Sequence, residues 1–289
     1  MPDKKKPVSA YFSFIKVSHT FFSLPFALIG FTLGIKENGN NLVKLLLLVI
    51  LSVLFARNAA MGFNRWADRE IDKKNPRTAL REMPREIILP RPAMIFVMIN
   101  CLFFIITTYF LNHICFFLSP VALLVILGYS LTKRFTSFSH IFLGLSLSLA
   151  PIGAYLAVTA HFAILPILYS IIVIFWVAAF DILYALQDVE FDQTAHLHSI
   201  PERFGKVKAL AISAILHLFA IALIIIAGFY GHFHMLYWIG TGVFSLILIY
   251  EHLIVKPNDL SRVNLAFATM NGTASVLFAV FVILDIVLH

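Results

Sequence analysis

The sequence predicts an all-α membrane protein that crosses the bilayer nine times. Of its 289 residues, 60% are hydrophobic and only 13% are charged, whereas a soluble domain averages roughly 45–50% apolar and about 25% charged residues. Apolar stretches of membrane-spanning length recur along the whole chain. Helices satisfy their own backbone hydrogen bonds in lipid, so each stretch is expected to be a helix. Residues 1–289 are expected to form a single membrane domain.

Nine apolar segments are separated by polar stretches, and most approach the ~20 residues that a helix needs to cross the hydrocarbon core. The second segment contains Arg57, and the eighth is short. In chain order the segments are 17–35, 43–62, 93–111, 114–132, 139–160, 162–181, 208–230, 234–250 and 264–285.

The basic residues orient these nine spans. Nineteen of the 22 Lys and Arg lie on the side that the N-terminus shares with the loops after even-numbered spans. Lys36 and Lys44 lie on the opposite side, and Arg57 is inside a span. The positive-inside rule therefore predicts a multi-pass protein of the inner (cytoplasmic) membrane with a cytoplasmic N-terminus and with His289 outside. This asymmetry explains the net charge of +7 without a nucleic-acid partner.

Ten of the fifteen acidic residues fall in two short regions, after the second and the sixth span. In the first region, Asn64, Asp68 and Asp72 recur every four residues. If the second span continues as a helix, the three side chains share one face. The second region repeats the pattern with Asp188 and Asp192. Both regions are on the predicted cytoplasmic side, so the active site is expected there.

Paired carboxylates on a helix face repel each other unless a cation lies between them. Oxygen ligands in this arrangement suit Mg²⁺, which commonly bridges to substrate phosphates. Two such elements facing each other across a cavity would hold Mg²⁺ around a diphosphate. Arg57 lies two helical turns before Asn64 and deeper in the membrane. An Arg inside a span usually faces the bundle interior, so Arg57 is the candidate partner of a substrate carboxylate.

These two regions and a third group of residues resemble one known family. The first is Asn64-x-x-x-Asp68-x-x-x-Asp72, followed by Arg77-Thr78-x-x-Arg81-x-x-Pro84, and the second is Asp181-x-x-Tyr184-x-x-x-Asp188-x-x-x-Asp192. The third is Tyr129-Ser130-x-Thr132-Lys133-Arg134 with Ser139-His140-x-x-Leu143-Gly144. Together they resemble the UbiA superfamily of intramembrane prenyltransferases, and the third group resembles its bacterial quinone-biosynthesis branch. The resemblance covers essentially the whole chain.

The resemblance implies a nine-helix bundle around a central cavity that opens to lipid. It also implies Mg²⁺-dependent transfer of a polyprenyl group from its diphosphate to an aromatic acid. The residues expected to be catalytic and to bind Mg²⁺ are Asn64, Asp68, Asp72, Asp188 and Asp192. The residues expected to bind substrate are Lys16, Arg57, Arg65, Arg77, Arg81, Lys133, Arg134, Asp181 and Tyr184. The expected partners are polyprenyl diphosphate, the aromatic acid and the lipid bilayer, without an obligate protein partner.

This chain departs from the family pattern at one position, and a second segment leaves the acceptor open. Many members have a Lys directly before the second motif's Asp, where this chain has Gln187, and Lys133 or Arg134 would replace that diphosphate contact. The segment from His198 to Gly205 resembles enzymes of both the 4-hydroxybenzoate and the menaquinone pathways. The acceptor is therefore either a 4-hydroxybenzoate-type acid or a naphthoate-type acid.

Two other protein classes are possible for a chain with this composition. A transporter would have ionisable residues near the middle of its spans and paired broken helices, whereas these acids cluster at helix ends. A CDP-alcohol phosphotransferase would have one compact Asp- and Gly-rich motif in fewer spans, and that motif is absent from the sequence. The distribution of acids favours the prenyltransferase.

Overall fold

The structure is a computed structural model that describes residues 7–15, 22–37 and 42–289. It begins with α1 (Pro7–Ile15) and α2 (Leu24–Glu37). The sequence did not predict α1, which packs against α3 and contributes Ala10 and Phe14 to a small apolar cluster. The first predicted span, 17–35, corresponds to α2, and its first residues lie partly outside the described ranges.

Ten more helices follow along the chain. They are α3 (Leu42–Ala67), α4 (Arg69–Lys74), α5 (Pro90–Leu111), α6 (His113–Thr132), α7 (Ser139–Thr159), α8 (Ile164–Ala185), α9 (Val189–Thr194), α10 (Ile200–Tyr230), α11 (Met235–Ile254) and α12 (Asn271–Leu288). A 3₁₀ turn, Leu186–Asp188, joins α8 to α9, and a π-helical turn, Leu265–Met270, precedes α12.

Eight segments of the described chain are helical, long and apolar enough to cross a membrane. They correspond to the second to ninth predicted spans, so the polytopic all-α prediction is confirmed. With its 14 residues, α2 is shorter than the ~20 residues of a full crossing. The seventh span was predicted to begin at residue 208. The element α10 begins at Ile200 but is kinked at Gly205, whose φ of 77° is not helical, so its long apolar part begins after Gly205, close to the predicted residue.

The centre of the bundle is α8, which is predominantly apolar on all sides up to Phe180, as expected of a helix that is covered all round. Its residues Tyr169, Trp176 and Phe180 are almost completely buried. The Trp176 ring lies 5.2 Å from the ring of Phe26 on α2 and 5.9 Å from that of Phe244 on α11. These ring contacts fix the positions of α2 and α11 relative to α8.

Two glycines allow backbones to approach each other, as small residues do between transmembrane helices. A Cβ at Gly30 of α2 would lie 2.0 Å from the carbonyl oxygen of Pro151 on α7. A Cβ at Gly144 of α7 would lie 2.5 Å from the carbonyl oxygen of Ile174 on α8. Because both contacts involve backbone, neither neighbour can move out of the way by changing rotamer.

Gly144→Ala is therefore expected to lower the free energy of unfolding by about 1–3 kcal/mol, the usual cost of overpacking. The matched control is Gly153→Ala on the same helix, where an added Cβ meets no atom within 4 Å. Alanine is the better helix former, so that variant should be as stable as the parent or more stable. Thermal unfolding in detergent compares the two, and equal stabilities would contradict the close contact of α7 with α8.

Candidate active site

The first aspartate motif lies where α3 ends. The expected continuous helix through Asp72 is wrong in detail, because the helix is interrupted at Asp68, whose φ and ψ are −93° and 6°. The four-residue spacing nevertheless persists. The Asp68 N–H donates to the Asn64 carbonyl at 2.9 Å, and the Asp72 N–H donates to the Asp68 carbonyl at 2.7 Å. The three side chains therefore still reach one cavity.

The second motif lies where α8 ends. Asp181 and Tyr184 are on α8, Asp188 closes the 3₁₀ turn, and Asp192 is on α9. The expected helical spacing holds, although one turn is tighter than an α-helix. The Asp192 carboxylate accepts a hydrogen bond from the Ser199 hydroxyl at 3.0 Å. This bond ties α9 to the beginning of α10.

A polar cavity of about 260 Å³ lies between the two motifs. It brings together every predicted site residue of the described chain except Arg134. These residues are Arg57, Asn64, Arg65, Asp68, Asp72, Arg77, Arg81, Lys133, Asp181, Tyr184, Asp188 and Asp192. Arg134 approaches Asp68 at 3.5 Å from outside the lining. Lys16 lies outside the described residues.

Cations compensate the buried carboxylates of the first motif. Asp68 is 2% exposed, and its Oδ2 lies 2.7 Å from Lys133 Nζ. Asp72 is 5% exposed, and Arg81 Nη1 donates to its two oxygens at 2.8 and 2.9 Å. Arg65 Nη1 lies 4.0 Å from Asp72. A buried charge is costly unless it is paired, so these contacts stabilise the aspartates inside the bundle.

Arg77 connects the two motifs. Its Nε donates to Asp188 Oδ1 at 2.9 Å, its Nη2 donates to Asp188 Oδ2, and its Nη1 donates to the Tyr184 hydroxyl at 2.7 Å. Its guanidinium also lies 4.9 Å from the centre of the Tyr184 ring. Burial lowers the pKa of Arg77, but the hydrogen bonds and charge of Asp188 outweigh it, so the pKa lies above its ordinary value. Arg77 therefore stays cationic where the loop after α4 meets α8.

Sequence reasoning gave no role to two residues that shape the cavity, although one of them, Thr78, stands in the first motif. Asn75 donates to Asp188 Oδ1 at 3.0 Å, and the Thr78 hydroxyl donates to the Asp72 carbonyl at 3.0 Å. Both lie within two residues of Arg77, and this closeness to a predicted site residue is the signal by which the sequence could have indicated them. Gln187 does not line the cavity, and its side chain donates to the Tyr184 carbonyl at 3.3 Å. Lys133 does line the cavity, as the proposed replacement for the family's Lys requires.

A second, apolar cavity of about 360 Å³ lies between α3, α5, α6 and α7. Arg57, Tyr129, Leu143 and Leu147 line both cavities. The buried Nε and Nη2 of Arg57 have no hydrogen-bond partner among the described residues. An unpaired guanidinium inside a membrane protein is costly. Arg57 therefore presents free donors at the junction of a charged cavity and an apolar one.

The fold and the site together define an intramembrane enzyme, in which one end of a helix bundle gathers carboxylates and cations next to an apolar cavity. The sequence model of the UbiA prenyltransferase family matches residues 23–277. The chain belongs to this family.

Solved structures share the fold. The apo structure of a UbiA homolog from Aeropyrum pernix K1 is 30% identical, covers 93% of this chain and 98% of its own, and superposes with a TM-score of 0.85. A UbiA homolog from Archaeoglobus fulgidus, solved with GPP and Mg²⁺, is 22% identical, with a TM-score of 0.73 over 96% of this chain and 99% of its own.

Bacterial relatives are similar in sequence. The 4-hydroxybenzoate octaprenyltransferase of Aliivibrio fischeri (strain MJ11) is 28% identical over 81% of each chain. The enzyme of the same name from Francisella tularensis subsp. mediasiatica is 25% identical over 96% of this chain and 98% of its own. The similarity thus extends over nearly the full length.

Proposed function

We propose that this protein transfers a polyprenyl group from polyprenyl diphosphate to the ring of a 4-hydroxybenzoate-type acid in respiratory quinone biosynthesis. The observation that carries the proposal is the polar cavity, where two aspartate motifs and four cations (Arg65, Arg77, Arg81 and Lys133) face each other. The names of the bacterial relatives favour this acceptor over a naphthoate-type acid. The ionisable residues that line this cavity lie at one end of the bundle. The cavity therefore fits an active site better than a path for transport across the membrane.

The donor set of the cavity fits Mg²⁺. Five residues with oxygen ligands, Asn64, Asp68, Asp72, Asp188 and Asp192, line one space, and hard oxygen ligands are those that Mg²⁺ prefers. When bound, Mg²⁺ would neutralise charge on the leaving diphosphate. In the structure three of these carboxylates, those of Asp68, Asp72 and Asp188, pair with Lys133, Arg81 and Arg77 respectively. These three cations are therefore placed to contact a diphosphate held at the aspartates.

Ionisation of an allylic diphosphate requires stabilisation of the leaving group and exclusion of water. Arg77, Arg81 and Lys133 supply positive charge where the C–O bond breaks. Aromatic rings line the remainder of the cavity and can stabilise an allylic cation through their faces. Those rings are Phe22, Tyr129, Phe180, Tyr184, Phe191 and Phe267. The apolar cavity beyond Arg57 can accept the isoprenoid chain, which continues into lipid.

Arg57 is proposed to bind the carboxylate of the aromatic acid. It lies at the inner limit of the polar cavity, and its Nε and Nη2 have no hydrogen-bond partner in the described chain. A guanidinium offers a planar pair of donors that matches a carboxylate. The proposed membrane orientation, with this cavity on the cytoplasmic side of the inner membrane, follows from the distribution of Lys and Arg.

Purified protein in lipid nanodiscs, supplied with Mg²⁺ and a labelled polyprenyl diphosphate, should prenylate 4-hydroxybenzoate in a panel that also contains hydroxynaphthoates and benzoate. Benzoate should be inert because it lacks the hydroxyl group that activates the ring. Chelation of the metal should stop the reaction. Transfer to a hydroxynaphthoate alone would identify the other acceptor class, and no transfer to any acid would contradict the proposal.

A further inference from the structure

His140 is a buried residue that contacts the cavity only through another side chain. It is 3% exposed and lies in the first turn of α7. Its Nδ1 lies 2.7 Å from Asp181 Oδ2, and its Nε2 lies 3.3 Å from the backbone nitrogen of Ile200. His140 thus joins α7 to α8 and to the beginning of α10.

These two contacts determine which ring nitrogen carries the proton. The backbone N–H of Ile200 can only donate, so Nε2 of His140 must be the unprotonated acceptor. A neutral imidazole has one donor and one acceptor, so Nδ1 carries the proton and donates to Asp181 Oδ2. A protonated Asp181 could not donate to Nδ1, because Nδ1 would then have no free lone pair. Oδ2 of Asp181 is therefore an acceptor that the N–H of His140 holds in place.

Asp181 differs in its partner from the three carboxylates of the cavity that are paired with cations. Asp192 also has no Lys or Arg partner among the described residues, but it accepts a hydrogen bond from Ser199 and belongs to the proposed metal-binding set. Asp68, Asp72 and Asp188 each contact a Lys or an Arg, and a carboxylate that is paired with a cation is a poor proton acceptor because protonation breaks the pair. Among the described residues, the hydrogen-bond partner of Asp181 is the neutral His140. Its side chain is 23% exposed and lines the polar cavity, so Oδ1 is open to a substrate.

The position of Asp181 relative to Arg57 suits an aromatic acid. Arg57, Tyr129 and Asp181 line the same polar cavity, and Arg57 and Tyr129 lie where it joins the apolar one. A ring whose carboxylate binds Arg57 would therefore share this cavity with Asp181.

We propose that Asp181 is the base that removes the ring proton after prenylation, and that His140 is the positioning residue that orients it. The inference rests on the proposed function. In the reaction, C1 of the prenyl group forms a bond with a ring carbon, and its C–O bond breaks with both electrons leaving on the diphosphate. The ring C–H bond then breaks, its electron pair restores the aromatic ring, and the proton passes to Asp181 Oδ1. Atoms and charges balance without any further reactant.

The test compares Asp181→Asn, His140→Leu and His140→Gln with the parent protein, using acceptor with hydrogen or deuterium on the ring carbon that is alkylated. Asp181→Asn is expected to lower kcat by about 10²–10⁴-fold, the usual contribution of a general base, with little change in KM for the prenyl diphosphate. His140→Leu should lower kcat in the same way. His140→Gln should restore most of it, since a glutamine amide can accept from Ile200 through Oε1 and donate to Asp181 through Nε2.

The isotope effect separates a role in proton transfer from a structural role. The parent should show none, whereas Asp181→Asn and His140→Leu should show a primary effect above unity, because proton removal becomes rate-limiting. His217→Leu is the matched control: it removes a histidine that is 2% exposed and bonded to His252 at 2.9 Å, away from the cavity lining. It should show no isotope effect, whatever its stability.

Three results bear on the proposal. The isotope effect in Asp181→Asn and its removal by His140→Gln relative to His140→Leu support it. Absence of an isotope effect in Asp181→Asn, whether or not kcat falls, while the parent makes product, overturns the role of Asp181 alone. Absence of product in the parent with every acceptor overturns the proposed function and this role with it. Calorimetric titration of each variant with prenyl diphosphate establishes that the cavity is folded.

Discussion

Asp68→Asn and Asp188→Asn are each expected to reduce prenyl transfer by at least about 10²-fold, the usual cost of losing one electrostatic contact to developing charge. The two residues belong to opposite walls of one cavity, so each variant removes one side of the proposed Mg²⁺–diphosphate site. Raising Mg²⁺ should restore little activity, because an amide oxygen is a weaker ligand than a carboxylate. Initial rates measured over a range of Mg²⁺ concentrations give the result.

Glu190→Gln is the matched control for these variants. Glu190 lies between Asp188 and Asp192 in sequence, but its side chain is 92% exposed and its contact is Lys206 at 3.8 Å. Removing its charge should leave activity unchanged. Near-normal turnover in either aspartate variant at saturating Mg²⁺ would contradict the two-motif site. Size-exclusion chromatography and circular dichroism distinguish loss of activity from loss of fold.

Arg57→Lys is expected to weaken binding of the aromatic acid by roughly 1.5–3 kcal/mol, about 10- to 100-fold, the usual value of a hydrogen bond to a charged group. Lysine keeps the charge but lacks the planar pair of donors that binds a carboxylate. Binding of the prenyl diphosphate should change little, because its partners are the aspartates and cations near the ends of α3 and α8. Steady-state titration of each substrate in turn separates the two effects.

Arg91→Lys is the corresponding control. Arg91 is exposed at the beginning of α5 and does not line the polar cavity, so both KM values should remain those of the parent. If Arg57→Lys weakens only the diphosphate, Arg57 belongs to the phosphate site and the carboxylate has another partner.

The sequence predicted most of the spans because lipid imposes a simple rule, namely one apolar stretch for each crossing. It predicted the positions of span ends less well. The sixth span was placed at 162–181, whereas α8 extends to Ala185. Tyr184, which lines the polar cavity, lies in this extension beyond the predicted span. Hydropathy detects only the apolar stretch and does not detect where a helix continues past it.

The spacing of Asn64, Asp68 and Asp72, and of Asp188 and Asp192, was readable from the sequence. Helical periodicity is local, and the two motifs reach one cavity even though the helix breaks at Asp68. The unusual position of Arg57 within an apolar span was also visible in the sequence. What these residues contact depends on helices that are distant in the chain, and no local pattern specifies such contacts.

The sequence by itself determined the all-α membrane class, the order of the spans and the two aspartate motifs, because each follows from composition or from periodicity within one segment. Only the tertiary structure decided the pairing of Asp188 with Arg77, the link from His140 to Asp181 and the junction of the two cavities at Arg57. Those contacts join residues up to 111 positions apart. The link from His140 to Asp181 joins α7 to α8, two helices that pack closely at Gly144, where the absence of a side chain lets their backbones meet.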